Sequence, residues 1–589
     1  MAQVAESRVL AIGRDLLERS RAAAPRFPSL AWLDDRGMAW SMRDEQLKAQ
    51  LFRFVDALPN LRSDVAVVRH LQEYLGPLQA QLPAPVRWAL GREGFPLGWL
   101  VPRIARTAAR RLATRFIAGS DVASAARTLE QLRRRRLTFT LDLLGEAVLS
   151  EAEADAYQHA YLDLIAGLAD AAARWPADDL LDGGAAGPRV NCSIKLSALT
   201  SRFEPADPLG TSARVRARLR PILRLAQQRG CFINVDMEHH AFKDATLRIL
   251  RDVLEEAEFR AWPDVGIAIQ TYLRSAAEDL QGLLIWAERR GTPLSIRLVK
   301  GAYWDYETVS AAQRNWTPPV YTDKQDSDAS FEACTRLLFL NRTVLRPAIA
   351  GHNVRSIAHA LAVAEALDVP PHEYEFQMLF GMVDPLKDAV ASLGRRVRVY
   401  APFGQLLPGM AYLVRRLLEN TSNTSFVRAG FLEAVPAEQL LMKPQPSTPA
   451  TVATAGFRNH PIVDVSTSEA QQRFASALTR VRASLPRLVA PVIDGVLVEG
   501  GAGRDNVNPS RRHEVVSRTR QATASHAEQA VISAHTAFPA WRDTAVAQRA
   551  VILERAAELM ADRRFDLTVL MVVEVGKNWR EADADVCEA

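Results

Sequence analysis

The middle of this chain predicts a (β/α)8 barrel, and three observations carry that expectation. Between residues 137 and 430, short apolar runs alternate with segments whose apolar residues recur at helical spacing. Eight such units follow one another, the number that closes a ring of parallel strands. Each expected strand ends on a polar or aromatic functional group, where barrels of this kind place their chemistry.

The expected strands are 139–145, 190–196, 231–237, 266–272, 294–300, 347–352, 374–379 and 396–402. Segments such as 212–229 and 242–260 supply helices between them. The groups at the strand ends are, in order, Glu146, Lys195, Asp236, Gln270, Arg297 with Lys300, His352 with Asn353, Gln377 and Tyr400. A purely structural barrel would show some of these by chance. A full set argues for a ligand site.

Residues 1–136 read as helical, with apolar spacing in Leu47-Leu51-Phe54-Val55-Leu58 and Leu71-Leu75. After the eighth strand, Pro408 and Gly409 introduce another helix. At about 100° per residue, its Tyr412, Arg415, Arg416 and Glu419 share one face, while Leu413 and Leu417 turn elsewhere to bury. Paired guanidiniums suit a carboxylate or phosphate, because each planar fork donates two hydrogen bonds. Residues 431–490 read as a linker, rich in Pro, Thr and Ala from Pro444 to Ala455. The last segment, 491–589, has a turn at Gly500, Gly501 and Gly503 and three helical patterns. One of these opens on Ser525-His526-Ala527-Glu528, a capping-box pattern.

With 48% apolar and 24% charged residues, the composition is that of a globular protein with ample core. A net charge of +5 permits an anionic surface or nucleic acid as partner without requiring either. The densest basic run, Arg133 to Arg136, reads as a solvated helix face. No zinc-finger spacing or aromatic-interleaved basic tract supports nucleic-acid binding. Cys192, Cys231, Cys334 and Cys587 are widely spaced and fit reduced thiols in a cytoplasm. Glu6, Arg8, Arg14 and Asp15 break any secretory apolar core at the start. No apolar run is long enough to span a bilayer, so membrane contact would be peripheral.

The run Asp236-Met237-Glu238-His239-His240 raises a metal site, but adjacent histidines ending a strand point to opposite sides. No metal is expected. Lys300-Gly301 sets a glycine beside a cation, which lets backbone approach a flat ligand. The chain has no G-x-G-x-x-G after a strand and no Walker A sequence, so a nucleotide cofactor would sit on the barrel top. It has no G-x-S-x-G and no cysteine among the barrel-top groups, which argues against nucleophilic hydrolysis. Redox or binding chemistry fits better.

With those residues assembled, the chain resembles the proline dehydrogenase half of the bifunctional proline utilisation A flavoenzymes. The matching stretches are FTLDLLGEA (139–147), SIKLSAL (193–199), NVDMEH (234–239), IAIQTYL (267–273), IRLVKGAYWDYE (296–307), GHN (351–353), YEFQMLFGM (374–382), VYAPFG (399–404) and YLVRRLLENTSNTSF (412–426). The resemblance covers 137–430, and the helical 1–136 is similar to the arm and α-domain that precede that barrel. The ribbon–helix–helix module of some members has no counterpart here.

The resemblance implies a distorted, TIM-like (β/α)8 barrel that binds FAD and oxidises L-proline to Δ1-pyrroline-5-carboxylate. Hydride would leave proline C5 for flavin N5, and electrons would pass to a quinone at the membrane. It implies that Lys195, Arg415 and Arg416 hold the proline carboxylate. Tyr400, Tyr412, Leu379 and Ala302 would wall the pyrrolidine ring, with Tyr303 near the flavin and Asp236 at the floor of the pocket. Glu146 would pair with Arg415 as a gate. Gln270, Arg297, Val299, Lys300, Gly301, Trp304, Lys324, His352, Asn353, Glu419 and Phe426 would contact FAD, with Arg297 donating toward flavin N5. A cytoplasmic protein, peripheral on the inner membrane face and able to form a homo-oligomer, is the implied setting.

Residues 491–589 are similar to the opening of the aldehyde dehydrogenase half, through VIDG (492–495), NVNPS (506–510), AFPAWRDTAVAQRAVILERAAELM (537–560) and EVGKNWREADADV (574–586). The resemblance implies that the nicotinamide fold and catalytic cysteine of that half lie outside this chain, and Cys587 does not match that cysteine. Oxidation of glutamate semialdehyde is therefore not expected of it. Two rival readings are a methylenetetrahydrofolate reductase-like flavin barrel, which has no use for Arg415 and Arg416, and a non-catalytic partner of a bifunctional homologue.

Overall fold

Eight parallel strands close on one another in chain order: β1 (Thr138–Leu143), β2 (Asn191–Ile194), β3 (Phe232–Val235), β4 (Val265–Gln270), β5 (Leu294–Val299), β6 (Leu345–Ala350), β7 (Glu375–Leu379) and β8 (Val397–Phe403). The last strand pairs with the first from Thr138↔Arg398 to Leu143↔Phe403, which completes the ring. This is the barrel expected, with each strand inside or within two residues of its expected bounds. The computed structural model describes residues 5–24, 45–57, 61, 63–81, 87, 103, 107, 116–145, 148–182, 187–405, 435–446 and 459–589.

Helices cross over between successive strands, among them Glu151–Ala172, Pro208–Gln228, His240–Leu254, Ala276–Arg290, Lys324–Leu340 and Val354–Ala366. Their starts are set by capping side chains: Ser150 accepts from Glu153 N, Asp323 from Gln325 N and Asn353 from Ser356 N. One side of every strand is apolar and buries against these helices, as with Ile296 and Leu298 on β5 and Phe376 and Met378 on β7.

An N-terminal helix, Glu6–Ala22, packs Val9, Ile12, Leu16 and Leu17 into the same core. Gly13 permits the close approach: a Cβ there would meet Leu441 Cδ2 at 2.5 Å. Arg355 fastens this corner, donating from Nε to Glu332 at 2.7 Å and from Nη1 to the Leu441 carbonyl at 3.1 Å, and pairing with Glu6. Helices Glu45–Ala57 and Asp64–Leu75 bury Leu47, Phe54, Leu71 and Leu75 as their spacing predicts.

The chain divides into two compact units, one of Met1–Phe203, Leu209–Thr308 and Pro318–Pro449, the other of Glu204–Pro208, Val309–Thr317 and Ala450–Ala589. The second corrects several expectations. Part of the expected linker, 431–490, is a helix, Ser468–Ala483, capped by Thr467 and burying Ala470, Phe474, Ala477 and Val481. Ala477 and Val481 pack with Val516, Val569 and Val573. Four helices follow where three were expected: Ala524–Asp543, Val546–Asp562, Arg564–Val575 and Trp579–Glu588. The capping box is formed by Thr523 and His526 instead of Ser525 and Glu528, because the helix begins two residues earlier than that pattern implies, with the extended Thr523 as its cap. Helices Ala524–Asp543 and Val546–Asp562 bury no residue and expose Val531, Ile532, Phe538, Val551 and Leu553.

Candidate active site

The sides of the strands that turn away from the helices meet inside the ring. Arg297 on β5 donates from Nη2 to Ser193 Oγ on β2 at 2.8 Å. Those strands are not neighbours, so the contact runs through the barrel interior. Alternation puts Asp142, Ser193, Arg297, Gln377, Arg398 and Tyr400 in that interior with their apolar chain neighbours facing out.

An ion cluster forms the centre. Asp236, one residue past β3, accepts from Arg297 Nη1 at 2.6 Å, Tyr400 OH at 2.8 Å and Lys195 Nζ at 3.3 Å. Lys195, one residue past β2, also donates to Asp142 Oδ1 at 2.7 Å. All four charged side chains are at most 10% exposed, so the two cations and two anions balance away from water.

Burial pushes the Asp236 carboxyl up, but Lys195 and Arg297 outweigh it and hold the group below the usual carboxylate range. For Asp142 burial prevails over Lys195 and the carboxyl lies above that range. Burial, with the two carboxylates, pushes the Tyr400 phenol well above its ordinary value, so it stays a donor. The Arg297 guanidinium lies 5.1 Å from the Tyr400 ring and donates from Nε to Gln377 Oε1 at 2.6 Å.

Beneath this cluster Glu375 receives Arg398 through two bonds, 2.7 and 2.9 Å, and Arg396 at 2.9 Å. Burial pushes its carboxyl up, yet the two guanidiniums outweigh burial and bring it from 4.5 down to about 2. The fold thus favours the ionised form. Its contribution to stability is complete above pH 4.5 and is lost as pH falls toward 2. The urea midpoint gap between the native protein and Glu375→Gln should accordingly be widest above pH 5 and shrink on acidification, about neutral conditions being the upper plateau. A gap independent of pH would contradict the ionised assignment.

Around the rim, Lys300 and Lys324 share one carboxylate, Asp328, with Lys324 at 2.5 Å. Burial lowers the Lys300 ammonium despite Asp328. Gly301 has φ +143°, and a Cβ there would stand 2.6 Å from the Tyr272 ring. Gln270 donates from Nε2 to the Met237 carbonyl at 3.2 Å, while its buried Oε1 has no partner among the described residues. His352 Nε2 accepts from Leu379 N at 3.0 Å, which puts the ring proton on Nδ1. Asn353 is spent as a helix cap, Trp304 Nε1 donates to the Tyr321 carbonyl at 2.9 Å, and Tyr303 stands edge-on to His239 at 6.3 Å. Val299 and Leu379 end β5 and β7, and Ala302 follows Gly301.

His239 is the N-cap residue and His240 the first residue of the helix His240–Leu254, so neither ends a strand as expected. Glu146, Tyr412, Arg415, Arg416, Glu419 and Phe426 lie outside the described residues. Asp142, Ser193, Glu375 and Asp328 were missed. For Asp142 a signal existed: an aspartate amid the apolar FTLDLL run, in phase with Thr138 and Thr140.

Residues 125–429 match the family profile described as proline dehydrogenase. The chain belongs to the proline dehydrogenase family. Around that region, residues 6–116 match the proline utilization A N-terminal domain and 498–589 the aldehyde dehydrogenase family. The proline dehydrogenase of Deinococcus radiodurans is 32% identical over 341 residues, which are 56% of this chain and 94% of that protein. The bifunctional protein PutA of Salmonella typhimurium is 32% identical over 541 residues, 87% of this chain and 40% of that one. The chain thus spans well under half of the bifunctional relative's length. The crystal structure of proline utilization A from Bdellovibrio bacteriovorus, inactivated by N-propargylglycine, superposes with a TM-score of 0.86 at 38% identity. That match covers 99% of this chain and 59% of the other. Among the described residues of this proline dehydrogenase family member, no helix is long and apolar enough to cross a membrane.

Proposed function

We propose that this chain is an FAD-dependent proline dehydrogenase that oxidises L-proline to Δ1-pyrroline-5-carboxylate, with a membrane quinone as final electron acceptor. The observation that carries the reading is the buried, charge-balanced cluster of Lys195, Asp142, Asp236 and Arg297 in the C-terminal half of the barrel of a proline dehydrogenase family member.

FAD fits what surrounds that cluster. The orphaned Gln270 Oε1 offers an acceptor, and Gly301 exposes backbone where any side chain would collide with Tyr272. Lys300 and Lys324 with one Asp328 leave one net positive charge, which suits a diphosphate. In this reading Gln270, Arg297, Val299, Lys300, Gly301, Trp304, Lys324, His352, Asn353, Glu419 and Phe426 hold the cofactor. When bound, FAD supplies the acceptor for the hydride that leaves proline C5.

The chain's own residues position the substrate. Lys195 is already matched by two carboxylates, so a substrate carboxylate needs further positive charge, which the reading assigns to Arg415 and Arg416. Tyr400, Tyr412, Leu379 and Ala302 wall the pyrrolidine ring and exclude water. Glu146 closes over the site by pairing with Arg415. The proposed organisation is a helical arm and α-domain at 1–136, the barrel at 137–430, a joining stretch at 431–490 and an aldehyde dehydrogenase segment at 491–589. The protein is peripheral to the inner membrane face and forms homo-oligomers.

Purified protein should carry a flavin spectrum that bleaches when L-proline is added without oxygen. No flavin, or a flavin blind to proline, would defeat the reading. Replacing Arg415 or Arg416 by Met should raise KM for L-proline at least about tenfold, the loss of roughly 1.4 kcal/mol of binding. Flavin content should hold. An equal loss of flavin would reassign both arginines to the cofactor.

A further inference from the structure

Glu375 lies two residues deeper in the barrel than Gln377, and the proposed reaction makes no use of it. Its surroundings nevertheless dictate the orientation of its neighbour. A carboxylate only accepts hydrogen bonds and a guanidinium only donates them. Gln377 stands between one of each: its Nε2 is 2.7 Å from Glu375 Oε1, and its Oε1 is 2.6 Å from Arg297 Nε. Reversing the amide would set two acceptors together and two donors together, so one orientation is forced. Glu375 is itself clamped by Arg398 and Arg396, and Arg398 is tied to the Phe139 carbonyl on β1 at 2.6 Å.

We infer that Glu375 is a positioning residue for Arg297, acting through the Gln377 amide to fix the guanidinium at the centre of the site. The consequence for turnover rests on the proposed reading of Arg297 as a flavin contact; the relay does not. Without the Glu375 charge, Gln377 is free to turn over, and Arg297 then loses its Nε acceptor while Asp236 and Ser193 still hold its other nitrogens. A misplacement of about 1 Å near reacting atoms costs on the order of 100-fold. A tilt restrained on two sides should cost about tenfold.

The test uses the full-length holoenzyme as Glu375→Gln, Gln377→Met and the double variant. Each single variant should lower kcat for L-proline about tenfold while KM stays within about twofold, and both should shift the visible flavin band in one direction. The double variant should be no slower than Gln377→Met, because both changes break the same link. A Glu375→Gln protein that melts earlier yet turns over normally per bound flavin would show a purely structural role and overturn the inference. So would a Gln377→Met protein with native kcat and flavin band. Gln377→Met keeps the volume and spares the ion pairs of Glu375, so it decides the matter if Glu375→Gln does not fold. If native protein is not bleached by L-proline, the reaction reading fails separately. The unfolding midpoints of the same variants then report the relay: non-additive losses support it and additive losses overturn it.

Discussion

Asp236→Ala is expected to cost the folded barrel about 3–5 kcal/mol, the usual consequence of stripping a buried ion cluster of its shared anion. Asp236 accepts from Arg297, Lys195 and Tyr400 at once. Its removal leaves two buried cations with Asp142 as the one remaining anion of the cluster and takes away the acceptor 2.8 Å from the Tyr400 phenol. Water cannot repair the loss cheaply, since these side chains are nearly closed to solvent. Urea unfolding followed by far-UV circular dichroism is the measurement. A shift worth less than about 1 kcal/mol, the range of exposed pairs, would mean that solvent screens the cluster after all.

Gly301→Ala is expected to lose both stability and flavin. At φ +143° the backbone is in a region that side chains rarely adopt, which alone costs about 1–3 kcal/mol. The added methyl would also lie 2.6 Å from the Tyr272 ring, and that ring is 3% exposed and has nowhere to retreat. The backbone proposed to approach the flavin would be the part displaced. The ratio of flavin to protein absorbance in purified material should fall below half of the native value, with a lower unfolding midpoint. Native flavin content together with an unchanged midpoint would show that this turn is not a cofactor cradle.

Much of the fold was legible because strand and helix leave different periods in a sequence. All eight barrel strands could be read, since each is a short apolar run closed by Gly, Pro or polar residues. The places of Lys195, Asp236 and Gln270 at or just past strand ends could be read as well, being a local property, whereas Arg297 and Tyr400 lie within β5 and β8. Their pairings could not. Arg297 and Ser193 are 104 residues apart, and only ring closure makes them neighbours. Asp328 has a local partner one turn earlier in Lys324, but its pairing with Lys300 from another element is long-range in the same way. The helix Ser468–Ala483 is masked by the composition around Pro444, which suggests a linker, although Ala470, Phe474, Ala477 and Val481 recur at helical intervals.

The barrel strands divide their labour residue by residue. On β5, Ile296 and Leu298 press on the surrounding helices, while Arg297 between them serves the chamber. A systematic substitution scan along that strand would therefore beat with a period of two, even-numbered positions registering as melting and odd-numbered ones as lost chemistry. Such a rhythm lets heat tolerance and reactivity drift separately within one short stretch of polypeptide.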